Sequence, residues 1–162
     1  MTIKFSTENV VSVNKKRIDH LKTIALNSTL KRSRVLLHQS KDDAVHQMIN
    51  IFCSGTYVRP HKHPERKSES YHIIDGELHV FIFDDVGRVI DRHHLLQNGH
   101  GSIVLRMMNV WHMPLPVTDF VVFHEIYTGP FIKDHDVVYA DWSPEELSDI
   151  SIIDAFLKKC KE

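Results

Sequence analysis

From Val35 onward the chain is cut into short β-prone runs that leave little room for any fold but an all-β one. Val35–Leu37, Gln47–Phe52, Ser70–Ile74, Glu77–Phe83, Val89–Leu95, Ser102–Leu105 and Phe120–Tyr127 are rich in β-branched and aromatic residues. Turn signals separate them: Asp75-Gly76, Asp84-Asp85-Val86-Gly87 and Gln97-Asn98-Gly99. Many short strands punctuated by turns fit a sandwich or a barrel.

Helical signals occur only at the two ends. Ile18, Leu21, Ile24 or Ala25, and Leu30 recur at helical spacing, so the pattern predicts an amphipathic helix over roughly 14–29. Ser143-Pro144-Glu145-Glu146 has the form of a capped helix start. A second helix is expected to begin at Asp149 or Ser151, with Ile152, Ile153, Phe156 and Leu157 as its apolar face. With no repeat and no low-complexity linker, the 162 residues read as one domain. Its parts are a helical segment over 1–31, a β-barrel over 32–132 and a helical tail over 133–162.

Composition removes several function classes. A 42% apolar fraction supplies a core, and a formal charge of −1 leaves no basic excess for nucleic acid. No run approaches the ~18 apolar residues of a membrane span, and Met1 to Asn14 shows no apolar leader. Two cysteines make no disulfide framework, which predicts a reducing, cytoplasmic setting. Cys53 is expected to be buried and inert, and Cys160 exposed. The charge is polarised: Lys15, Lys16, Arg17, Lys22, Lys31, Arg32, Arg34 and Lys41 face only Asp19 between Asn14 and Lys41, whereas the chain after Lys133 is acidic. The two ends can pair with each other, pair across a dimer, or stand as solvated faces.

Thirteen of the residues are histidine, the commonest metal ligand. His61 and His63 stand two apart, so on a strand both point to one face. Glu69 follows at the start of the next predicted strand and can return to that face. His112, in Asn109-Val-Trp-His-Met-Pro, can supply a fourth ligand in a closed barrel. Three imidazoles and a carboxylate suit one divalent transition metal such as Zn, Fe, Ni, Mn or Cu, and the set alone does not choose among them.

The order Gly55, His61, His63, Glu69, Gly76 resembles the first sequence motif of the cupins, with a five-residue gap between His63 and Glu69 that is longer than the common form. Gly99 or Gly101 followed by His112 resembles the second motif, although Asn109-Val-Trp stands where that motif has Pro-x-Gly. Over most of its length the chain is similar to the WbuC family of cupin-fold metalloproteins. The similarity is carried by Arg34-Val-Leu-Leu-His38, Gln47-Met48, Gly55-Thr-Tyr-Val-Arg-Pro-His-Lys-His-Pro, Glu69 and Phe83-Asp-Asp-Val-Gly87. It continues through Trp111-His112, Glu125, Gly129-Pro130-Phe131 and Ser143-Pro-Glu-Glu146. The resemblance implies a mainly β, cupin-type double-stranded β-helix, that is, a jelly-roll barrel with an N-terminal helix and short C-terminal helices. It also implies a metal, a homodimer, and an association with bacterial O-antigen or other surface-polysaccharide pathways.

Strand parity extends the candidate site. If the extended run reaches back from His61, Arg59 and Tyr57 share its inward face, Arg59 as a binder of anions and Tyr57 as a catalytic acid or base. Tyr71 shares parity with Glu69, while Arg34 and His38 are candidates for the same anion pocket. Glu125 is a candidate general acid or base if it reaches the cavity. Trp111 is expected to turn away from His112 and pack as a lid or in the core. Three functions remain open: a metal-dependent enzyme on a small anionic or sugar-like molecule, a binding module for such a molecule without turnover, and a barrel stapled by a structural metal.

Overall fold

The computed structural model of the protein describes residues 4–132 and 135–162. Lys133 and Asp134, at the start of the expected tail, lie outside the described residues. The elements run α1 (Lys15–Asn27), β1 (Arg32–Leu36), β2 (Val45–Cys53), β3 (His61–Lys62), β4 (Ser68–Asp75), β5 (Leu78–Phe83), β6 (Val89–Leu95), β7 (Val104–Met108), β8 (Trp111–Pro116), β9 (Phe120–Thr128), β10 (Val138–Tyr139) and α2 (Ile150–Lys161). Two five-stranded antiparallel sheets form, in the orders β1-β2-β9-β4-β7 and β10-β3-β8-β5-β6. None of the described helices is long and apolar enough to cross a membrane.

Alternation along the strands sorts the side chains into three layers. Between the sheets lie Phe52, Tyr71, Ile73, Met107, Val121 and Phe123 from the first sheet and Leu78, Val80, Ile82 and Leu95 from the second. On the outer face of the first sheet, Ile49, Ile51, Cys53 and Val122 meet Leu21 and Ala25 of α1. On the outer face of the second, Phe81, Phe83, Met113 and Leu115 meet Ile153 and Cys160 of α2. Asn14 caps α1 by accepting from the Arg17 N–H at 3.0 Å.

Two local expectations are corrected, and one strand is added to those read from the sequence. No helix starts at Ser143: its hydroxyl donates to the Ala140 carbonyl at 2.9 Å, closing a turn, and the one C-terminal helix begins at Ile150. Cys160 is buried against the second sheet, and burial pushes its thiol up to about 11. The segment Trp111–Pro116 is a strand despite its two prolines. Pro114 and Pro116 pair with Val80 and Leu78 on one side, while β3 pairs with β8 only at His112 on the other. The prolines therefore fall where the second neighbour has ended, and no ladder bond is lost.

Candidate metal centre and its surroundings

His61, His63, Glu69 and His112 converge inside the barrel, with one potential ligand atom from each within 4.8 Å of all the others. All are buried, Glu69 4% and His112 1% exposed. β3 and β8 bring His61 and His112 together as direct partners, and the inward row of β4 supplies Glu69 opposite them.

The imidazole tautomers are fixed by their outer bonds. Nδ1–H of His61 donates to the Arg59 carbonyl at 2.9 Å, that of His112 to the Val110 carbonyl at 3.0 Å, and that of His63 to the Asp136 carbonyl at 2.6 Å. Each Nε2 is then left with a lone pair directed inward. Glu69 Oε2 lies 2.9 Å from His112 Nε2 and 3.4 Å from His63 Nε2. None of these three buried atoms has a hydrogen-bond partner. Acceptors crowded together in a dry interior repel one another unless a cation lies among them, so the donor set fits a metal ion. A proton is the other cation that can serve. Burial opposes the charge on Glu69, but His112 and His63 hold its carboxyl well below the usual range. Burial likewise opposes protonation of His63, and Glu69 raises it. Burial, with His112 beside it, pushes His61 down to about 3, so His61 is neutral and ready to ligate.

A model of a domain of unknown function, DUF6016, matches residues 13–95, a span from the residues before α1 to the end of β6 that includes three of the four candidate ligands. The chain belongs to this family. No curated protein matches it. Among solved structures, protein SO0799 from Shewanella oneidensis is similar over 79% of this chain and 83% of its own, at 10% identity and a TM-score of 0.57. The L-ribose isomerase of Cellulomonas parahominis is similar over 67% of this chain and 69% of its own, at 16% identity and a TM-score of 0.52. The DMSP lyase DddQ of Ruegeria pomeroyi is similar over 70% of this chain and 54% of its own, at 16% identity and a TM-score of 0.51. Likeness at these identities establishes the fold, and the fold is that of the cupins.

Beside the four residues the inner face of the first sheet carries a polar row. Glu125 pairs with Tyr71 on β4 and with Met48 on β2, and it accepts from the Asn50 amide at 2.6 Å. Burial, and then the neighbouring Glu69 carboxylate, push Glu125 up to about 8. The residue as a whole is half-buried rather than sealed from solvent. Burial and the same two carboxyls raise the Tyr71 hydroxyl. Arg34, on the edge strand β1, pairs with Asn50 and is exposed. Its guanidinium meets Met48 Sδ at 3.8 Å and no carboxylate of the described residues within ion-pair distance.

The structure brings Glu125, Tyr71 and Arg34 toward the four ligand candidates but not Tyr57, Arg59 or His38. The parity argument fails because β3 is only two residues long and 54–60 is irregular. Tyr57 packs in the layer under α2, its hydroxyl donating to the Pro144 carbonyl at 2.9 Å. Arg59 donates to the Ala140 carbonyl at 2.9 Å and lies over the Tyr139 ring. His38 stacks on His46 with ring centroids 4.1 Å apart, beyond the Arg34 end of the row. Trp111 turns outward as expected and donates to Asp85 at 2.9 Å. Sequence reasoning missed Asn50, Tyr127 and Asp136. Tyr127 lays its ring 4.7 Å from that of His63, and Asp136 acts through its main-chain carbonyl, which no side-chain pattern announces.

Proposed function

We propose that the protein is a metal-dependent enzyme acting on a small anionic or sugar-like molecule. The observation that carries this reading is the set of inward lone pairs on His63, His112 and Glu69, buried without hydrogen-bond partners, beside a second carboxyl group. His61, His63, Glu69 and His112 would hold one divalent transition metal, which when bound supplies Lewis-acid polarisation of a substrate oxygen. Glu125, protonated at neutral pH, is placed to give or take a proton at its Oε atoms. Arg34 suits an incoming carboxylate or phosphate at the outer end of the row, and Tyr71 lines the inner wall. Isomerisation or epimerisation, hydrolysis, and with iron oxygenation are compatible with these groups. The WbuC resemblance supports sugar or sugar-nucleotide chemistry of bacterial surface polysaccharides, a homodimer, and work in the cytoplasm.

Metal content of the purified protein tests the reading, measured by elemental mass spectrometry beside His61→Ala and Glu69→Ala. About one equivalent, lost in both variants, is expected, and the element selects the assays. Absence of metal after reconstitution overturns it. The second reading, a binding module for the same class of molecule, is favoured by tight binding without turnover.

A further inference from the structure

Two of the three histidines are oriented by the main chain just before them. His61 and His112 each donate to a carbonyl two residues earlier in sequence, Arg59 and Val110. His63 instead donates to a carbonyl 73 residues away, that of Asp136. Its orientation therefore depends on how the segment 135–140 is seated. That segment is fastened by its own side chain. Asp136 is 2% exposed, and its Oδ2 accepts from the Ile132 N–H at 2.9 Å and from Lys67 Nζ at 3.3 Å. Lys67 Nζ also donates to the carbonyls of Thr128, at 3.2 Å, and Pro130, and lies over the Tyr127 ring. The Tyr127 hydroxyl donates to the Asp136 carbonyl at 3.4 Å, alongside His63. Past Asp136 the same segment forms β10, where Tyr139 pairs with His61, and the Ala140 N–H donates to the Pro60 carbonyl at 2.9 Å. Lys67 comes from the five residues that separate His63 from Glu69, so the long gap in the motif holds the other half of the fastening.

We propose that Lys67 and Asp136 are positioning residues of the metal centre: their ion pair seats 135–140 against the barrel, holds His63 in ligating orientation, and couples metal binding to the docking of that segment. The proposal rests on the metal reading above. Outer groups that orient ligating imidazoles commonly change metal affinity about 10–100-fold when removed. Coupling is reciprocal, so bound metal must also steady the segment.

The test titrates the full, metal-stripped chain with Co(II) against a competing chelator, following the visible spectrum. Lys67→Met is expected to bind about 10–100-fold more weakly with an altered ligand-field spectrum, and Lys67→Arg to recover both. In wild type, hydrogen exchange at the Asp136 and Ala140 amides is expected to slow when Co(II) is added, a readout that does not require any variant to fold. Wild type that binds Co(II) with no change at those amides, or Lys67→Met with wild-type affinity and spectrum, overturns the clasp and leaves the metal reading standing. Wild type that binds no metal overturns both.

Discussion

The Asn50 side-chain amide donates to Glu125 at 2.6 Å, and Glu125 lies beside Glu69, so two carboxyl groups share the barrel interior. Burial and the Glu69 charge raise Glu125 from its ordinary 4.5 to about 8. A carboxyl whose pKa is raised on folding binds its proton more tightly in the folded state. Stability then falls as pH rises from about 4.5 to 8, and the full cost is present above 8. Glu125→Gln keeps an acceptor for Asn50 and removes the titration. Metal-free Glu125→Gln is therefore expected to be more stable than wild type at pH 8.5, with the advantage fading toward pH 5. Denaturant unfolding across that range checks it, and a constant difference removes Glu125 as the titrating group.

Metal binding and protons compete for the same atoms. His63 is raised and Glu69 lowered because a proton between them serves as the cation. Metal uptake near neutral pH is expected to release protons, and apparent affinity to fall as pH drops through the histidine range. Calorimetry in two buffers of different ionisation enthalpy measures the release. Free metal at a hundred times its Kd adds about 2.7 kcal/mol of stability. For a chain of this size that is a rise of roughly 5–10 °C in Tm. His112→Ala is expected to lose most of that rise.

How much of this was legible in the sequence follows from which contacts are local. His61 and His63 could be read because an i, i+2 pair needs only a short extended stretch, and Glu69 because it opens a long alternating strand. His112 was legible only through the closed-barrel argument and the cupin resemblance, since the prolines of β8 hide a strand whose second neighbour stops at that residue. Tyr57 and Arg59 were misplaced because parity was carried through 54–60, which is not a strand. Helix α1 was legible from its hydrophobic period because it buries one face against the first sheet, and most strands from β-prone runs between turn signals, which hold even where a strand such as β5 buries both faces. The polarised charge left three readings open. The structure pairs one acid of the tail, Glu146, with one base of the N-terminal third, Arg32.

That pair makes a further prediction. Arg32 Nη2 lies 2.8 Å from both Glu146 oxygens while Nη1 donates to the Tyr57 carbonyl at 3.1 Å. Both side chains are mostly withdrawn from solvent, which limits screening. Glu146→Gln and Arg32→Met are each expected to cost about 1 kcal/mol. In a double-mutant cycle most of that should appear as coupling. Additive effects would show that the tail is held by its apolar layer alone.

Two glycines of the first motif are expected to differ sharply when given a side chain. Gly55 and Gly76 both have positive φ, +87° and +78°. At Gly55 an added Cβ meets nothing within 4 Å, so Gly55→Ala carries only the left-handed backbone penalty, about 1 kcal/mol, and Gly55→Asn less. At Gly76 the same atom would lie 2.1 Å from the Phe120 carbonyl oxygen and 2.6 Å from Thr118 Oγ1. Backbone cannot swing aside as a flexible side chain can. Yielding there would pull β9 from β4 where their register already shifts, between Ile73 and Asp75. Gly76→Ala is expected to cost at least about 2 kcal/mol beyond Gly55→Ala, and to weaken metal binding through Glu69 on β4, the strand that ends just before Gly76. Denaturant midpoints of the two variants decide the matter: equal losses would show that Gly76 is needed only for its dihedral angle, not for the close approach of β9.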